Sequence, residues 1–304
     1  MSHFYKQLIF ISLGLAILIA GGVLILAVGD KGAAPVGWWK FNEGSGNYAY
    51  DSSSNRNTGS LYLGGSATSS AWVSGVYGTA LSFDGVDDYV DAGNGASLNF
   101  GTGSVSISFW AILPLSAGGG VYRGIVSKRT NANYTGFSIY TAPSTGGVSS
   151  EWASASGGPY YNTPAIINFD GRFHHIVIVL NRNDNTLRGY ADGIQSGAAT
   201  NIASLGNIYN STNLLIGKEV GASTYNNIID DVRIYNYART ADQVRADYNN
   251  GKALYVGSRA PANCDVDPAS CVNQGLVGYW DMDQMGGTTA TDKSGNGNTG
   301  TLTS

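Results

Sequence analysis

The apolar residues of the chain follow two different patterns. Leu8–Val28 is an unbroken run without a charged side chain. At 1.5 Å per residue a helix of this length reaches about the 30 Å of a hydrocarbon core. The pattern predicts a transmembrane signal anchor at 8–28, preceded by a cytoplasmic tail at 1–7 and followed by a linker at 29–35.

A cleavable export signal is the alternative interpretation of the same segment. Its apolar region is usually shorter, about 7–15 residues, although the small residues Ala27 and Gly29 would suit a cleavage site. Lys6 lies before the run, which weakly places the short tail inside. Both interpretations put the remainder of the chain outside the cell, membrane-anchored in the first case and secreted in the second.

Residues 36–251 contain short apolar runs separated by turn residues. Phe173–Leu180 is apolar on both alternating faces and predicts a strand buried between two layers, with Thr186–Ala191 returning as its hairpin partner. Similar runs occur at Ala80–Phe83, Tyr89–Asp91, Val105–Ile112, Gly124–Lys128, Gly136–Tyr140, Leu214–Gly217 and Ile228–Tyr235. The pattern predicts an all-β sandwich. One helix is expected at Ala241–Asn249, because Thr240 and Gln243 form a capping box.

The opening of this region recurs near the end of the chain. Val36-Gly-Trp-Trp-Lys-Phe41 returns as Val277-Gly-Tyr-Trp-Asp-Met282, an offset of 241 residues, and the agreement continues to Leu302. A fixed offset over aromatic, acidic and glycine positions indicates a repeated module. We therefore expect 276–304 to be the truncated start of a second repeat.

A linker at 252–275 separates the two copies and contains Cys264 and Cys271. In an oxidising exterior this pair favours a small disulfide loop. A zinc site is the alternative, but the segment offers no further Cys or His.

Composition excludes several functions. The 304 residues include 43 Gly and 19 Tyr, with 17 Lys and Arg against 21 Asp and Glu. So few cations cannot form the dense basic surface that nucleic acid requires. Glutamate occurs only at Glu43, Glu151 and Glu219, which is too few for an exposed helical bundle. We therefore expect no nucleic-acid partner and no coiled coil.

Five motifs give the chain a family resemblance. They are Gly37-Trp-Trp-Lys-Phe-Asn-Glu-Gly-Ser-Gly46, Asp51-Ser-Ser-Ser-Asn-Arg-Asn-Thr-Gly59, Ala80-Leu-Ser-Phe-Asp-Gly85 with Asp88-Tyr-Val90, Asp170-Gly-Arg-Phe-His-His-Ile-Val177, and Ile229-Asp-Asp-Val-Arg-Ile-Tyr-Asn-Tyr-Ala-Arg-Thr240. Together, and in this order, they resemble the laminin G-like domain, a concanavalin A-like jelly roll distantly related to pentraxins. The resemblance implies an antiparallel two-sheet sandwich over 36–251, with the first strand near Trp39 beside the last near Val232. It implies binding or adhesion more often than catalysis.

Catalytic motifs are missing. Related jelly-roll glycosidases carry Glu-x-Asp-x-Glu on one strand, and no two glutamates of this chain lie that close. Asp87, Asp88 and Asp91 sit beside glycine, where Asx turns explain them. His174 and His175 are adjacent, so on a strand they point to opposite faces and cannot bind one metal ion together. We expect a protein that is not an enzyme.

Calcium is the candidate cofactor. Asp51, Asn55 and Asn57 offer oxygen ligands in a glycine-rich turn, although a hydrogen-bonded Asx loop is the favoured interpretation because calcium sites usually recruit more carboxylates. Gly217-Lys-Glu219 is similar to the Gly-x-Glu stretch after which pentraxins place their calcium ligands, although the acid-rich continuation is missing here. Asp230, near the closing strand, completes the set of candidate ligands.

Aromatic residues in polar loops are the candidate ligand-binding residues. Flat rings stack on pyranose faces while neighbouring amides bond the hydroxyl groups. The candidates are Tyr134, Trp152, Tyr160, Tyr161, Tyr209 and Tyr225. The alternative for each ring is packing at the edge of the sandwich.

The sequence as a whole predicts an exported surface protein, anchored through 8–28, whose jelly roll binds an extracellular glycan or a surface protein without catalysis. Two other interpretations remain open. The repeats are a structural spacer or surface layer without a specific ligand, or the domain is an accessory module of a larger secreted enzyme.

Overall fold

The computed structural model describes only part of the chain. The described residues are 17–19, 22–24, 32–64, 71–113, 121–132, 134–142, 147–154, 159–166, 170–219, 223–249, 289–290 and 299–301. Cys264, Cys271 and the predicted disulfide lie outside them.

The described residues are organised mainly as strands. In chain order these are β1 (Ile17–Ile19), β2 (Gly22–Leu24), β3 (Gly37–Trp39), β4 (Tyr48–Ala49), β5 (Gly59–Tyr62), β6 (Trp72–Ser74), β7 (Thr79–Ser82), β8 (Tyr89–Asp91), β9 (Val105–Ile112), β10 (Arg123–Arg129), β11 (Gly136–Ala142), β12 (Gly147–Ala153), β13 (Tyr161–Asn162), β14 (Phe173–Asn181), β15 (Thr186–Ala191), β16 (Ile194–Asn201), β17 (Leu215–Ile216), β18 (Ser223–Thr224), β19 (Ile228–Tyr235), β20 (Thr289–Ala290) and β21 (Gly300–Thr301). A 3₁₀ turn covers Ala96–Leu98 and one α-helix, α1, covers Ala241–Asn249. The predicted all-β class is confirmed.

Two sheets form the compact unit Lys31–Asn250. Over the described residues, the nine-stranded sheet has the order β13-β12-β11-β10-β17-β8-β5-β4, with β18 beside β10. The eight-stranded sheet has the order β16-β15-β14-β9-β19-β7-β6, with β3 beside β19. Val232 lies opposite Trp39 in this last pair, as the laminin G-like resemblance implied.

The core lies between the sheets and follows from strand alternation. Ile176, Ile178 and Leu180 of β14 are fully buried and meet Phe137 and Ile139 of β11 in one hydrophobic cluster. Alternate residues of each strand point away from this core. The side chains on those outer faces therefore determine what the sandwich presents to its surroundings.

The helix covers part of one outer face. Val244 of α1 packs on Val177, Val179 and Tyr190 of the eight-stranded sheet. The predicted capping box begins the helix, with the Thr240 backbone N–H donating to Gln243 Oε1 at 3.1 Å and the Gln243 N–H donating to Thr240 Oγ1 at 3.2 Å. The sequence predicted that β14 is buried between two layers. The other sheet covers one side of β14, and this helix covers the other side.

The terminal unit contains Met1–Asp30 and Gly251–Ser304. Six described residues of the predicted membrane segment form the antiparallel pair β1–β2. No helix among the described residues is long and apolar enough to cross a membrane. The predicted membrane helix is therefore not confirmed, and its other residues lie outside the described part.

The two short strands near the end of the chain have a counterpart at its start. Thr289 pairs with Thr301 and Ala290 with Gly300. These are the pairs Tyr48 with Ser60 and Ala49 with Gly59 of β4–β5, moved by the same offset of 241 residues that the sequence shows. The second repeat itself stays a prediction.

Candidate functional site

Two of the predicted aromatic residues meet at one end of the nine-stranded sheet. The ring centroids of Tyr134 and Tyr160 are 5.9 Å apart with an interplanar angle of 70°. The two side chains are 38% and 46% exposed, respectively. Tyr134 precedes β11 and Tyr160 precedes β13, so the fold brings together rings from two neighbouring loops.

An arginine links this pair to the outer face of the sheet. The Arg129 guanidinium lies 4.6 Å from the centroid of the Tyr134 ring. Its Nη1 donates to Glu151 Oε1 at 2.6 Å, and its Nη2 forms an ion pair with Glu219 Oε1. Ser138 Oγ donates to Glu219 Oε2 at 2.7 Å. The ionic cluster, defined as Arg129, Glu151 and Glu219, thus has one cation and two anions.

Strand register explains why these groups share a face. Ser138 of β11 lies opposite Glu151 of β12, and Glu151 lies opposite Asn162 of β13. Their neighbours Phe137 and Trp152 are buried in the core, so these polar positions alternate to the outer side.

Two more tyrosines extend the same surface. Tyr140, two residues beyond Ser138 on β11, packs edge-on against Tyr122, with ring centroids 5.5 Å apart. Burial, with the Glu151 charge, raises the pKa of Tyr140 to about 12, so its hydroxyl group stays neutral. We call this surface the tyrosine face; it consists of Tyr122, Tyr134, Tyr140, Tyr160, Arg129, Glu151 and Asn162. Sequence reasoning missed Tyr122 and Tyr140. The alternation of Tyr140 with the core residue Ile139 was a usable signal that Tyr140 points outward, whereas its contact with Tyr122 depends on strand register.

The remaining predicted rings are dispersed. Tyr209 is 54% exposed, in the loop that precedes β17. Tyr161 lies opposite Trp152 in register and packs partly against the core. Neither has a ring contact with the Tyr134–Tyr160 pair among the ring pairs of the described residues.

The prediction of an exposed ring is wrong for Trp152 and Tyr225. Both side chains are completely buried. Trp152 lies in strand β12 rather than in a loop and stacks on Phe137, with ring centroids 4.9 Å apart. The Tyr225 hydroxyl group donates to the Ile112 carbonyl at 2.6 Å, and burial raises its pKa. These rings stabilise the core and cannot offer a face to a ligand.

The Asp51 loop has the hydrogen-bonded structure that the sequence favoured over calcium. Asp51 Oδ1 accepts from the backbone N–H groups of Trp38 and Ser53, each at 2.8 Å. Asp51 Oδ2 accepts from the Asn57 N–H at 2.7 Å. The side-chain amides of Asn55 and Asn57 both donate to the Val36 carbonyl. Protein donors thus occupy both carboxylate oxygens.

The other two candidate calcium ligands lie in separate surroundings. Glu219 belongs to the ionic cluster. Asp230 is fully buried, and its Oδ2 accepts from the backbone N–H groups of Val76 at 2.8 Å and Tyr77 at 3.1 Å. Burial raises the pKa of Asp230 to about 6. The contacts of the described residues do not join these side chains to the Asp51 loop.

The described residues contain one further cluster of three acidic side chains that could hold a metal ion. Asp84, Asp87 and Asp88 have oxygens within 4.8 Å of one another. Asp84 Oδ1 accepts from the Val86 N–H at 2.8 Å, and Asp91 Oδ1 accepts from the Gly93 N–H at 2.9 Å. Asp91 therefore forms the Asx turn that the sequence predicted. The other Asx turn is formed by Asp84 rather than by the predicted Asp87 or Asp88, and Asp88 Oδ2 accepts from the Asp84 N–H at 3.0 Å.

The histidines have separate structural roles. His175 is buried and its Nε2 lies 2.9 Å from Ser108 Oγ. Its neighbour His174 lies between Asp192 and Asp170, at 2.7 and 2.9 Å from their carboxylate oxygens. The two side chains therefore point in different directions, as predicted.

Two of the three glutamates lie close together in the fold, which their spacing in the sequence did not predict. Glu151 and Glu219 are far apart in the chain, yet both contact Arg129. A glycosidase needs one carboxylic acid as a proton donor and a second, ionised carboxylate. Here both groups bind the same guanidinium, and Glu219 is also bonded to Ser138. The arrangement suits a fixed ionic cluster better than an acid and base pair.

Comparison with known proteins identifies the family. The laminin G family model described as the concanavalin A-like lectin/glucanases superfamily matches residues 84–245, more than half of the chain. The chain matches no curated protein sequence.

Three solved structures illustrate the similarity in fold. The binding domain of Paraclostridial Mosquitocidal Protein 1 has a TM-score of 0.58 and 18% identity, over 71% of this chain and 52% of that one. The botulinum neurotoxin serotype D ligand-binding domain, in complex with N-acetylneuraminic acid, has a TM-score of 0.56 and 13% identity, over 74% and 52%. Domain 4 of AbnA, an extracellular GH43 arabinanase from Geobacillus stearothermophilus in complex with arabinotriose, has a TM-score of 0.53 and 16% identity, over 71% and 98%.

This chain spans about half the length of the two toxin domains and nearly all of the arabinanase domain. At these identities the matches establish the fold alone. With the family model, the five motifs and the two-sheet topology in agreement, the chain belongs to the concanavalin A-like lectin/glucanases superfamily, in its laminin G-like branch.

Proposed function

We propose that the jelly roll is a non-catalytic glycan-binding module and that the tyrosine face is its ligand site. The observation that carries this proposal is the exposed Tyr134–Tyr160 pair, which lies beside the partly exposed Glu151 on the outer side of the sheet.

The chemistry of this surface suits a sugar. Exposed rings cover the apolar faces of a pyranose or furanose, and hydroxyl, amide and carboxylate groups bond the sugar hydroxyls. The Tyr134 ring contacts both the Arg129 guanidinium and the Tyr160 ring. A ring that is already ordered loses little conformational entropy when a ligand binds.

Two of the similar structures support a sugar ligand. The arabinanase domain, of which this chain covers 98%, is in complex with arabinotriose. The neurotoxin domain is in complex with N-acetylneuraminic acid, but this chain covers only 52% of it. The arabinanase domain is therefore the more relevant precedent.

A glycan array followed by calorimetry tests the proposal. We expect the wild-type domain to bind at least one oligosaccharide, and Tyr134→Ala and Tyr160→Ala each to weaken that binding between about twofold and tenfold, since a stacking contact is worth about 0.5–1.5 kcal/mol. Tyr48→Ala is the matched control because Tyr48 is 53% exposed on β4, at the opposite edge of the same sheet. A blank array, or equal losses in all three variants, would contradict the proposal. Capture of a surface protein by a domain that binds no sugar would favour the protein ligand instead.

We also propose that the module is displayed outside the cell through the apolar segment 8–28. The support is the uncharged run Leu8–Val28 in the sequence. Alkaline extraction of membranes should leave the full chain in the pellet, whereas replacing Leu18 and Leu24 by Arg should release it. Recovery of a shortened chain in the culture medium would show cleavage and secretion.

A further inference from the structure

The charge of the tyrosine face restricts the glycans that it can accept. Its ionic cluster has two carboxylates and one guanidinium, so its formal charge is −1. The Glu151 side chain is 23% exposed, whereas those of Arg129 and Glu219 are 11% and 3% exposed. The most exposed charge of the ionic cluster is therefore negative.

Arg129 is poorly placed to bind an anion. Recognition of a sugar carboxylate by arginine usually needs two parallel N–H donors on one edge of the guanidinium. Both terminal nitrogens of Arg129 already face the carboxylates of Glu151 and Glu219. Its Nε is buried, and its planar surface lies against Tyr134. The guanidinium of Arg129 is thus already paired with carboxylates of the protein.

The groups that remain accessible suit neutral hydroxyls. Glu151 provides carboxylate oxygens that accept hydrogen bonds from sugar hydroxyl groups. Asn162, opposite Glu151 on β13, is exposed and provides both an amide donor and an amide acceptor. Tyr140 adds a neutral hydroxyl group, since its pKa is raised to about 12.

We propose that the tyrosine face selects neutral glycans over glycans with a terminal carboxylate, such as sialylated ones, and that Glu151 sets this selectivity. The inference rests on the glycan-binding function proposed above. A sugar carboxylate about 5 Å from Glu151 would be repelled by about 1 kcal/mol in a largely solvated site, which corresponds to a preference of about fivefold.

Matched oligosaccharide pairs test the selectivity directly. The probes are neutral oligosaccharides and their sialylated derivatives, compared by array and then by calorimetry. We expect the neutral member of each bound pair to bind about fivefold more tightly at 20 mM salt, and the ratio to shrink in 1 M salt, where the Debye length is about 3 Å.

Glu151→Gln is the decisive variant. Glutamine retains an acceptor oxygen for Arg129 and removes one negative charge, so the preference for the neutral probe should fall about threefold or more. Glu43→Gln is the control: it makes the same charge change near β4, at the opposite edge of the sheet, where Glu43 accepts from the Tyr50 N–H. Circular dichroism should show that both variants are folded.

The outcomes separate this inference from the proposed function. If sialylated probes bind as tightly as their neutral parents, or if Glu151→Gln leaves the ratio unchanged, the selectivity is overturned while glycan binding stands. If the wild-type domain binds neither class, the glycan function fails, and the selectivity fails with it.

Discussion

The two outer faces of the sandwich are built from different residues. On the eight-stranded sheet, Val177 and Val179 lie under Val244 of α1, and all three are buried. On the nine-stranded sheet, the corresponding outward positions carry tyrosines, serines and the ionic cluster, and the Tyr134 and Tyr160 rings remain exposed. The one α-helix of the described residues lies on the first face.

We therefore expect the helix-covered face to contribute mainly to stability and the tyrosine face to contribute mainly to ligand binding. Apolar side chains that are buried by a helix contribute roughly 25 cal/mol per Å² of area removed from water. Exposed rings contribute little to folding and leave their binding energy available to a ligand. Substitutions on the helix-covered face should therefore change stability, and substitutions on the tyrosine face should change binding.

The largest expected effect is on the helix-covered face. Val244→Asp would bury a charge without a partner against Val177 and Val179, at a cost of about 4 kcal/mol. Denaturation in urea measures the loss. Ala241→Asp is the control, because it places the same carboxylate at an exposed position in the first turn of the helix, where the change should stay below about 0.5 kcal/mol. Equal stability of the two variants would contradict the difference in packing between the helix-covered face and the tyrosine face.

Acid should weaken the helix-covered side through His175. Burial lowers the pKa of His175 to about 3, whereas an unfolded histidine titrates near 6.5. The unfolded chain therefore binds the proton first, and stability falls as the pH drops from about 6.5 towards 3. The contribution between pH 7 and pH 4 is roughly 3 kcal/mol.

His174 has the opposite sign. Burial alone would lower its pKa, but hydrogen bonds to Asp192 and Asp170 outweigh burial and raise it. That stabilisation is present below the unfolded pKa and is lost as the pH rises through the folded one.

His175→Gln isolates the effect of His175: the difference in unfolding free energy between pH 7 and pH 4 should shrink by roughly 3 kcal/mol. An unchanged difference would show that His175 is protonated in the folded state.

The Asp51 loop should hold its strands by hydrogen bonds alone. Asp51→Ala removes the acceptors of the Trp38, Ser53 and Asn57 N–H groups, at a cost of roughly 2 kcal/mol. Thermal melting of the wild-type domain should shift by less than about 1 °C between excess calcium and chelator. A large increase in the melting temperature with calcium would instead show that the sandwich binds a cation. It would contradict the prediction that hydrogen bonds alone hold the Asp51 loop.

The smallest effect on stability is expected on the tyrosine face. Tyr160→Ala should cost less than about 0.5 kcal/mol, because Tyr160 is 46% exposed and lies in a surface loop. Tyr134→Ala should cost up to about 1 kcal/mol, since it also removes the contact with Arg129. Thermal denaturation compares them, and losses as large as that of Val244→Asp would mean that these rings serve folding.

Local sequence patterns predicted the fold well at positions where the residue type can serve only one structural role. The apolar run of β14, the capping box of α1 and the pairing of Trp39 with Val232 are all present. Their signals lie in residues that must be buried or must cap, whatever ligand the domain binds.

The site was predicted less well because an aromatic ring serves the core and the surface equally. Trp152 follows a Gly/Ser-rich run and was expected in a loop, yet β12 turns it inward against Phe137. The meeting of Glu151 and Glu219 at Arg129 depends on strand register, which short-range spacing does not encode. The same is true of the Tyr122 and Tyr140 pair.

Mapping of a bound sugar tests the central claim most directly. Backbone amide shifts are recorded while the strongest neutral oligosaccharide from the array is added to the labelled domain. We predict that the largest shifts cluster at Tyr134, Glu151 and Tyr160, and that the amide shifts of α1 and β4 remain unchanged. Saturable shifts that cluster on α1, on β4 or in the Asp51 loop, with the tyrosine face unaffected, would contradict it.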